Sequence, residues 1–171
     1  MASSYLSKTP ASATNRRTFT ISFWLKTSVA TGDYNLFYSA GSGSHELKIS
    51  FDNSERLYIY DFNGTSFDML LKTNRVFRDT SAFYNIVYEI DTTNATADDR
   101  IKLYVNGVQE TSFSDRTNPS QNHDTEWNGT GVHHIGRDGS GSYIDGILTH
   151  IHNIDGTAYD ADTFGETDAT T

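Results

Sequence analysis

The segment 100–113, RIKLYVNGVQETSF, reads as a β-hairpin. Ile101, Leu103 and Val105 alternate with Lys102 and Tyr104, the period of a strand buried on one face. Asn106-Gly107 then supplies the positive φ that a type I′ turn demands. The same pattern extends outward. Segment 83–92, FYNIVYEIDT, turns Tyr84, Ile86, Tyr88 and Ile90 to one side. Segment 18–27, TFTISFWLKT, sets Phe19, Ile21, Phe23 and Leu25 against Thr20, Ser22, Trp24 and Lys26. Further strand signals fall at 34–40 (after a Thr31-Gly32-Asp33 turn), 45–53, 55–64, 65–72 (after Asn63-Gly64), 132–138 and 143–155. Long helical periodicity is absent, and at most one helical turn fits 160–166. Segments 92–99 and 114–131 are polar and read as loops. The chain is therefore all-β: an antiparallel two-sheet β-sandwich or jelly roll, one domain over 1–171, with no internal linker.

Composition narrows the chemistry. The 171 residues include 13% aromatics, 20% charged residues and no cysteine. Disulfides, thiolate zinc sites and cysteine nucleophiles are excluded. A net charge of −9 opposes binding to nucleic acid phosphates or anionic membranes. No apolar run is long enough to span a membrane. The start, MASSYLSKTP, lacks the basic-then-apolar pattern of a signal peptide. The expectation is a protein made in a cytoplasm, or a piece of something longer.

Several stretches together carry a resemblance: SYLSKTPASATNRRTFTISFWLK, VFRDTSAFYNIVYEIDTT, DRIKLYVNGVQ, HHIG and YIDGILTHIHNIDGTAYDADTFGETDATT. They resemble the laminin-G-like, concanavalin A-like jelly-roll domains of bacteriophage tail-associated structural proteins. The resemblance covers nearly the whole chain. It implies two antiparallel sheets, one of them concave, within a longer parent chain. It also implies a place on the virion after synthesis in the host cytoplasm, a host-surface glycan as partner, and assembly as a homotrimer with other tail proteins.

Glucanases on this fold use E-x-D-x-x-E, whose outer carboxylates must stand about 5–5.5 Å apart for retaining chemistry. Here Glu89 and Asp91 supply the first two positions, but Asn94 replaces the last Glu, and Ala95 fills the inserted-residue alternative. An amide cannot protonate a leaving group. Asp91 then reads as a turn cap and Glu89 as an outward strand residue. G-x-S-x-G and Gly-rich phosphate loops are also missing, so a non-enzyme is expected.

Metal ligands are sparse. His150 and His152 at i, i+2, with His133 or His134, form the one zinc arrangement available; the alternative is hydrogen-bonded sheet histidines. The candidate ion for this fold is calcium, with Asp145 and Asp155 as carboxylates; the alternative is turn formation before Gly146 and Gly156. The resemblance puts an acidic calcium ligand in the last long strand, where this sequence has Thr149 and His150.

Sugar recognition needs aromatic surfaces and polar side chains together. Tyr58 and Tyr60 face away from Leu57 and Ile59, and Tyr104 faces away from Leu103 and Val105. If both strands lie in the concave sheet, the three rings line one groove. Trp127, flanked by His123 and Asn128 in the 114–131 loop, is the second candidate. The alternatives are ordinary cross-strand pairs for the tyrosines and a core-edge cover for Trp127. The N-x-T triplets at Asn63, Asn94 and Asn128 read as turn composition. The expected function is a non-catalytic, lectin-like carbohydrate-binding module. Behind it stand a structural or oligomerisation module without small ligand and, third, a glycoside hydrolase lacking its last carboxylate.

Overall fold

The computed structural model describes residues 4–28 and 34–165. The strands are β1 (Leu6–Lys8), β2 (Thr18–Thr27), β3 (Asn35–Ala40), β4 (His45–Phe51), β5 (Arg56–Asn63), β6 (Phe67–Val76), β7 (Tyr84–Asp91), β8 (Ile101–Val105), β9 (Val108–Glu110), β10 (Phe113–Thr117), β11 (His133–Ile135) and β12 (Gly146–Asp155). Two single turns of 3-10 helix, Ala97–Asp99 and Ala161–Thr163, complete the described elements. The Thr31-Gly32-Asp33 turn lies outside the described residues, as does Glu166 of the expected helical turn.

A seven-stranded sheet in the order β1-β11-β3-β4-β5-β6-β10 packs on a five-stranded sheet in the order β12-β2-β7-β8-β9. Every named pairing is antiparallel. The alternation read from the sequence places the core. Phe19, Ile21, Phe23 and Leu25 from β2 meet Ile86, Tyr88 and Ile90 from β7, all of them fully buried. Against them stand Phe37, Leu47, Ile49, Leu57, Ile59 and Leu71 of the other sheet. Each such side chain removes its apolar surface from water at roughly 25 cal/mol per Å².

The turns follow their chemistry. Asn106 (φ 51°) and Gly107 (φ 79°) close β8 onto β9 as read. The other Asn-Gly pair differs. There the positive φ falls on Gly64 (88°), while Asn63 Oδ1 accepts the Thr65 and Ser66 N–H groups, so a longer turn replaces the two-residue I′ form.

Three expectations change. The second arm of the 100–113 hairpin pairs over only three residues, after which the chain crosses between sheets and adds β10 to β6. Glu110 marks the crossing: it is buried, binds Arg75 Nε at 2.7 Å and accepts the Ser112 N–H. The polar segment 114–131 thus begins as a strand. In β12, the two residues between Thr149 and His152 oppose the single residue between Trp24 and Ser22 of β2, a bulge with His150 at φ 48°. Finally, Thr20 and Ser22, read as outward, are buried. Thr20 Oγ1 donates to Thr157 O and accepts the Tyr159 N–H, so the chain after β12 crosses the outer face of the five-stranded sheet.

Candidate functional site

β1 is an edge of one sheet and β12 an edge of the other. Between those edges lies a cleft of about 370 Å³. Leu6, Pro10 and Ile135 give it apolar lining, and Trp127, Asn128 and Asn153 give it hydrogen-bonding groups, with Lys8 and Asp155 among the other lining residues. The local sequence EWNGTG explains how the loop reaches it. Asn128 takes φ 61°, which asparagine tolerates better than most residues. Gly131 passes so near β3 that a Cβ there would lie 1.4 Å from the Ala40 carbonyl oxygen.

The hydrogen-bonding groups form one continuous network. Trp127 Nε1 donates to Asn153 Oδ1 at 3.1 Å, and Asn153 Nδ2 donates to Asn128 Oδ1 at 3.0 Å. Asn128 Nδ2 donates to Asn15 O at 2.9 Å, and the Asn15 N–H donates to Asp155 Oδ1 at 2.9 Å. His133 Nδ1 lies 2.9 Å from Gly131 O and Nε2 accepts the Asn128 N–H at 3.1 Å. These partners select the neutral tautomer with the proton on Nδ1. Burial agrees, pushing the His133 pKa down, with Lys8 and His134 adding to it. The network fixes side chains before any ligand arrives, which is what a binding site needs.

The structure separates the residues that the sequence grouped. Trp127 and Asn128 both line the cleft, but Trp127 is only 3% exposed and packs edge-on to Phe37 and His133. At that exposure its ring offers no free stacking face. His123 lies elsewhere, its Nε2 3.4 Å from Oδ2 of buried Asp61. Tyr58 and Tyr60 stand on the outer face of β5, in the seven-stranded sheet, whereas Tyr104 belongs to β8 in the five-stranded one. The single groove lined by all three rings therefore does not form: their faces look out on opposite sides of the sandwich.

The tyrosine face is also largely occupied by itself. Tyr58 and Tyr60 stack at 5.8 Å and 8°. Lys72 Nζ lies 5.9 Å from the Tyr58 ring, and Lys48 Nζ lies 5.9 Å from both Tyr38 and Tyr60. Lys72 pairs with Asp52 at 2.6 Å and Lys48 with Asp138 at 3.5 Å. The Tyr60 hydroxyl bonds Glu46; burial first, then that carboxylate, push the phenol far above its ordinary pKa.

The carboxylates of the E-x-D pair make structural contacts. Glu89 pairs with Lys102 at 3.0 Å and accepts the Tyr104 hydroxyl at 2.8 Å. Asp91 Oδ1 accepts the Thr93 N–H at 3.1 Å, the turn cap read from sequence. The calcium candidates Asp145 and Asp155 sit at opposite ends of β12, about 30 Å apart for a ten-residue strand, and are therefore two separate positions. The zinc arrangement fails. Both His133 nitrogens are engaged, and among the described residues no three His, Asp or Glu side chains gather at metal-binding range. Sequence reading missed Asn153, His133 and Leu6 as cleft residues. Their one signal was position, at the first, eleventh and last strands, which the topology alone unites.

A family model described as the concanavalin A-like lectin/glucanases superfamily, of laminin G type, matches residues 2–158. The chain belongs to this superfamily. No curated protein matches it in sequence. Among solved structures, this superfamily member is similar to domains LG4-5 of the mouse laminin alpha1 chain, with TM-score 0.64 and 13% identity over 93% of this chain and 41% of that one. It also resembles the CBM40 of the Ruminococcus gnavus IT-sialidase, with TM-score 0.58 and 10% identity over 95% and 96% of the two chains. A third is domain 4 of AbnA, an extracellular arabinanase of Geobacillus stearothermophilus, solved with arabinotriose, with TM-score 0.58 and 13% identity over 85% and 64%. At these identities the likeness is one of fold. The chain spans less than half of the laminin structure it matches.

Proposed function

We propose that the chain is a non-catalytic, lectin-like carbohydrate-binding module and that the cleft between β1 and β12 holds the sugar. The observation that carries this is the cleft's mixed chemistry. A hydrogen-bonded amide–indole–carboxylate network shares the cleft with the apolar side chains of Leu6, Pro10 and Ile135. A pyranose ring has the same duality, a C–H face and a hydroxyl rim. Two similar folds support the reading: one is a carbohydrate-binding module solved with sialyllactose, the other a domain solved with arabinotriose. On the sequence resemblance, we place the module in a longer bacteriophage tail protein on the virion, its ligand a glycan of the host surface.

The test is a glycan array of bacterial surface polysaccharides, probed with the wild-type chain and with a Leu6→Ser/Lys8→Ala double variant. Leu6 is 64% exposed and Lys8 is exposed, so the variant keeps the core. Binding lost in the variant with an unchanged melting temperature supports the cleft. Equal binding by both proteins places the sugar elsewhere.

A second reading is a structural module that assembles through this edge. Leu6 (64% exposed), Ile147 (52%) and Tyr5 (43%) leave apolar surface between β1 and β12. Light scattering decides: a trimer in the wild type that the Leu6→Ser/Lys8→Ala variant dissociates, with no glycan bound, replaces the first reading with the second.

A further inference from the structure

On the outer face of the five-stranded sheet, Trp24 is 36% exposed, although Thr20 and Ser22 on the same face of the same strand are buried. Phe83, 41% exposed, shares the surface, with Lys26 Nζ 5.7 Å from its ring centroid. Two hollows meet at this aromatic pair. One, of about 310 Å³, runs toward Asn85, Asn106 and Asp162. The other, of about 400 Å³, runs toward Thr149 and His150.

Two further observations point to a ligand. Asn85 is only 7% exposed and lines the first hollow, and its Nδ2 finds no hydrogen-bond partner among the described residues. Its backbone is fixed, because the Asn85 N–H donates to Asn106 Oδ1 at 2.8 Å. As placed, Nδ2 is buried, and a half-turn of the terminal torsion exchanges it with Oδ1 and brings the donor to the other position of the amide. At the second hollow, His150 sits on the β12 bulge at φ 48°, a conformation that disfavours a residue with a side chain. Bulges re-aim side chains beside binding sites.

An exposed indole, an unpaired amide and a histidine that a bulge aims at the surface call together for one kind of molecule. A purely apolar ligand leaves the Asn85 amide unsatisfied. A phosphate-bearing ligand meets a chain of charge −9 with Asp162 at the site. A sugar ring stacks its C–H face on Trp24 and turns its hydroxyls to Asn85 and His150.

We propose that this face is a second saccharide site, separate from the edge cleft, and that its ligand is an uncharged oligosaccharide of at least two pyranose rings. One ring lies in each hollow, with the chain passing over the Trp24–Phe83 pair. A glycan could then be held at two places on one module, which multiplies retention on a repeating polysaccharide.

The experiment uses the whole chain on an array of neutral pyranose oligosaccharides of one to six rings. Variants are Trp24→Ala, Phe83→Ala, His150→Gly and the Leu6→Ser/Lys8→Ala cleft variant, with melting temperatures in parallel. Binding begins at two rings. Trp24→Ala loses about tenfold in affinity for these oligosaccharides, Phe83→Ala loses less, and the cleft variant retains them. His150→Gly weakens them while leaving the melting temperature near wild type. Acrylamide quenching of the chain's tryptophan emission falls on addition of the bound oligosaccharide in wild type, and the oligosaccharide leaves the remaining Trp127 emission of Trp24→Ala unprotected. Wild-type affinity in both folded aromatic variants, or no neutral oligosaccharide bound by the wild-type chain, overturns the proposal. Loss only in the cleft variant overturns it while leaving the edge cleft as the sugar site.

Discussion

The two tryptophans occupy opposite kinds of place. Trp127 comes from a polar, turn-rich segment and is 3% exposed; its ring contacts Phe37 and its N–H is tied to Asn153. Trp24 comes from a regular strand and is 36% exposed. A loop that closes the open side of a sandwich must bring its own apolar cover, so its largest side chain becomes core. A strand has a face that the opposite sheet never reaches, and there a large ring stays in water. The widest separation between the two should appear in stability. Trp127→Ala should lower it by about 3–5 kcal/mol, and Trp24→Ala by less than about 1 kcal/mol, as read by urea denaturation. Equal losses would break the contrast.

That contrast also marks what the sequence can convey. Period-two alternation placed Phe19, Ile21, Phe23 and Leu25, and Ile101, Leu103 and Val105, because one-sided burial writes itself into every second residue. Asn106-Gly107 announced its turn because few residues accept those dihedrals. Sheet membership carries no such mark. Tyr58 and Tyr104 have the same outward signature, yet stand in different sheets. β10, FSDRT, hid in a polar stretch because it is an edge strand with three exposed residues at its centre. β1, LSK, is exposed throughout and three residues long. The His150 bulge was equally silent, since a single extra residue leaves composition unchanged. Of the cleft, Trp127, Asn128 and Asp155 were legible as residue types, while Leu6, His133 and Asn153 arrive from distant strands. Trp24 was read as outward; that Asn85 beside it lacks a partner is visible only in three dimensions.

Satisfaction of buried polar groups sharpens the comparison at smaller magnitude. The Trp127 N–H is answered by Asn153, which also donates to Asn128. Asn153→Ala should lower stability by about 1–2 kcal/mol, less than loss of the indole itself, because Asn153 is exposed and water takes over part of its role. Tyr88 is the counter-example. It is fully buried between the sheets and its hydroxyl has no partner among the described residues. Burial alone raises its pKa, so the phenol stays neutral. Tyr88→Phe should therefore stabilise the chain by about 0.5–1 kcal/mol, checked as a shift in denaturation midpoint without a change in slope. A loss of stability would mean that the hydroxyl has a partner in solution, and would remove the distinction between the two rings.

The finest distinction separates two histidines by sign. His123 faces Asp61, which raises its pKa more than burial lowers it, with Asp68 and Asp124 adding smaller contributions. The folded state thus holds the His123 proton more tightly than the unfolded state. The stabilisation is full below the unfolded pKa of about 6.5 and fades as pH rises through the folded value. His133 behaves oppositely. Burial lowers its pKa and both its nitrogens are engaged in the neutral form. The unfolded chain takes up a proton near pH 6.5 that the fold refuses, so stability falls as pH drops below that value. Denaturation at pH 5.5 and pH 8 should show crossed behaviour. The advantage of wild type over His123→Gln should be larger at pH 5.5, and its advantage over His133→Asn larger at pH 8. Parallel pH profiles for the two variants would show that Asp61 does not hold the His123 proton. The loop that carries Trp127 into the core would then bring no titrating pair with it.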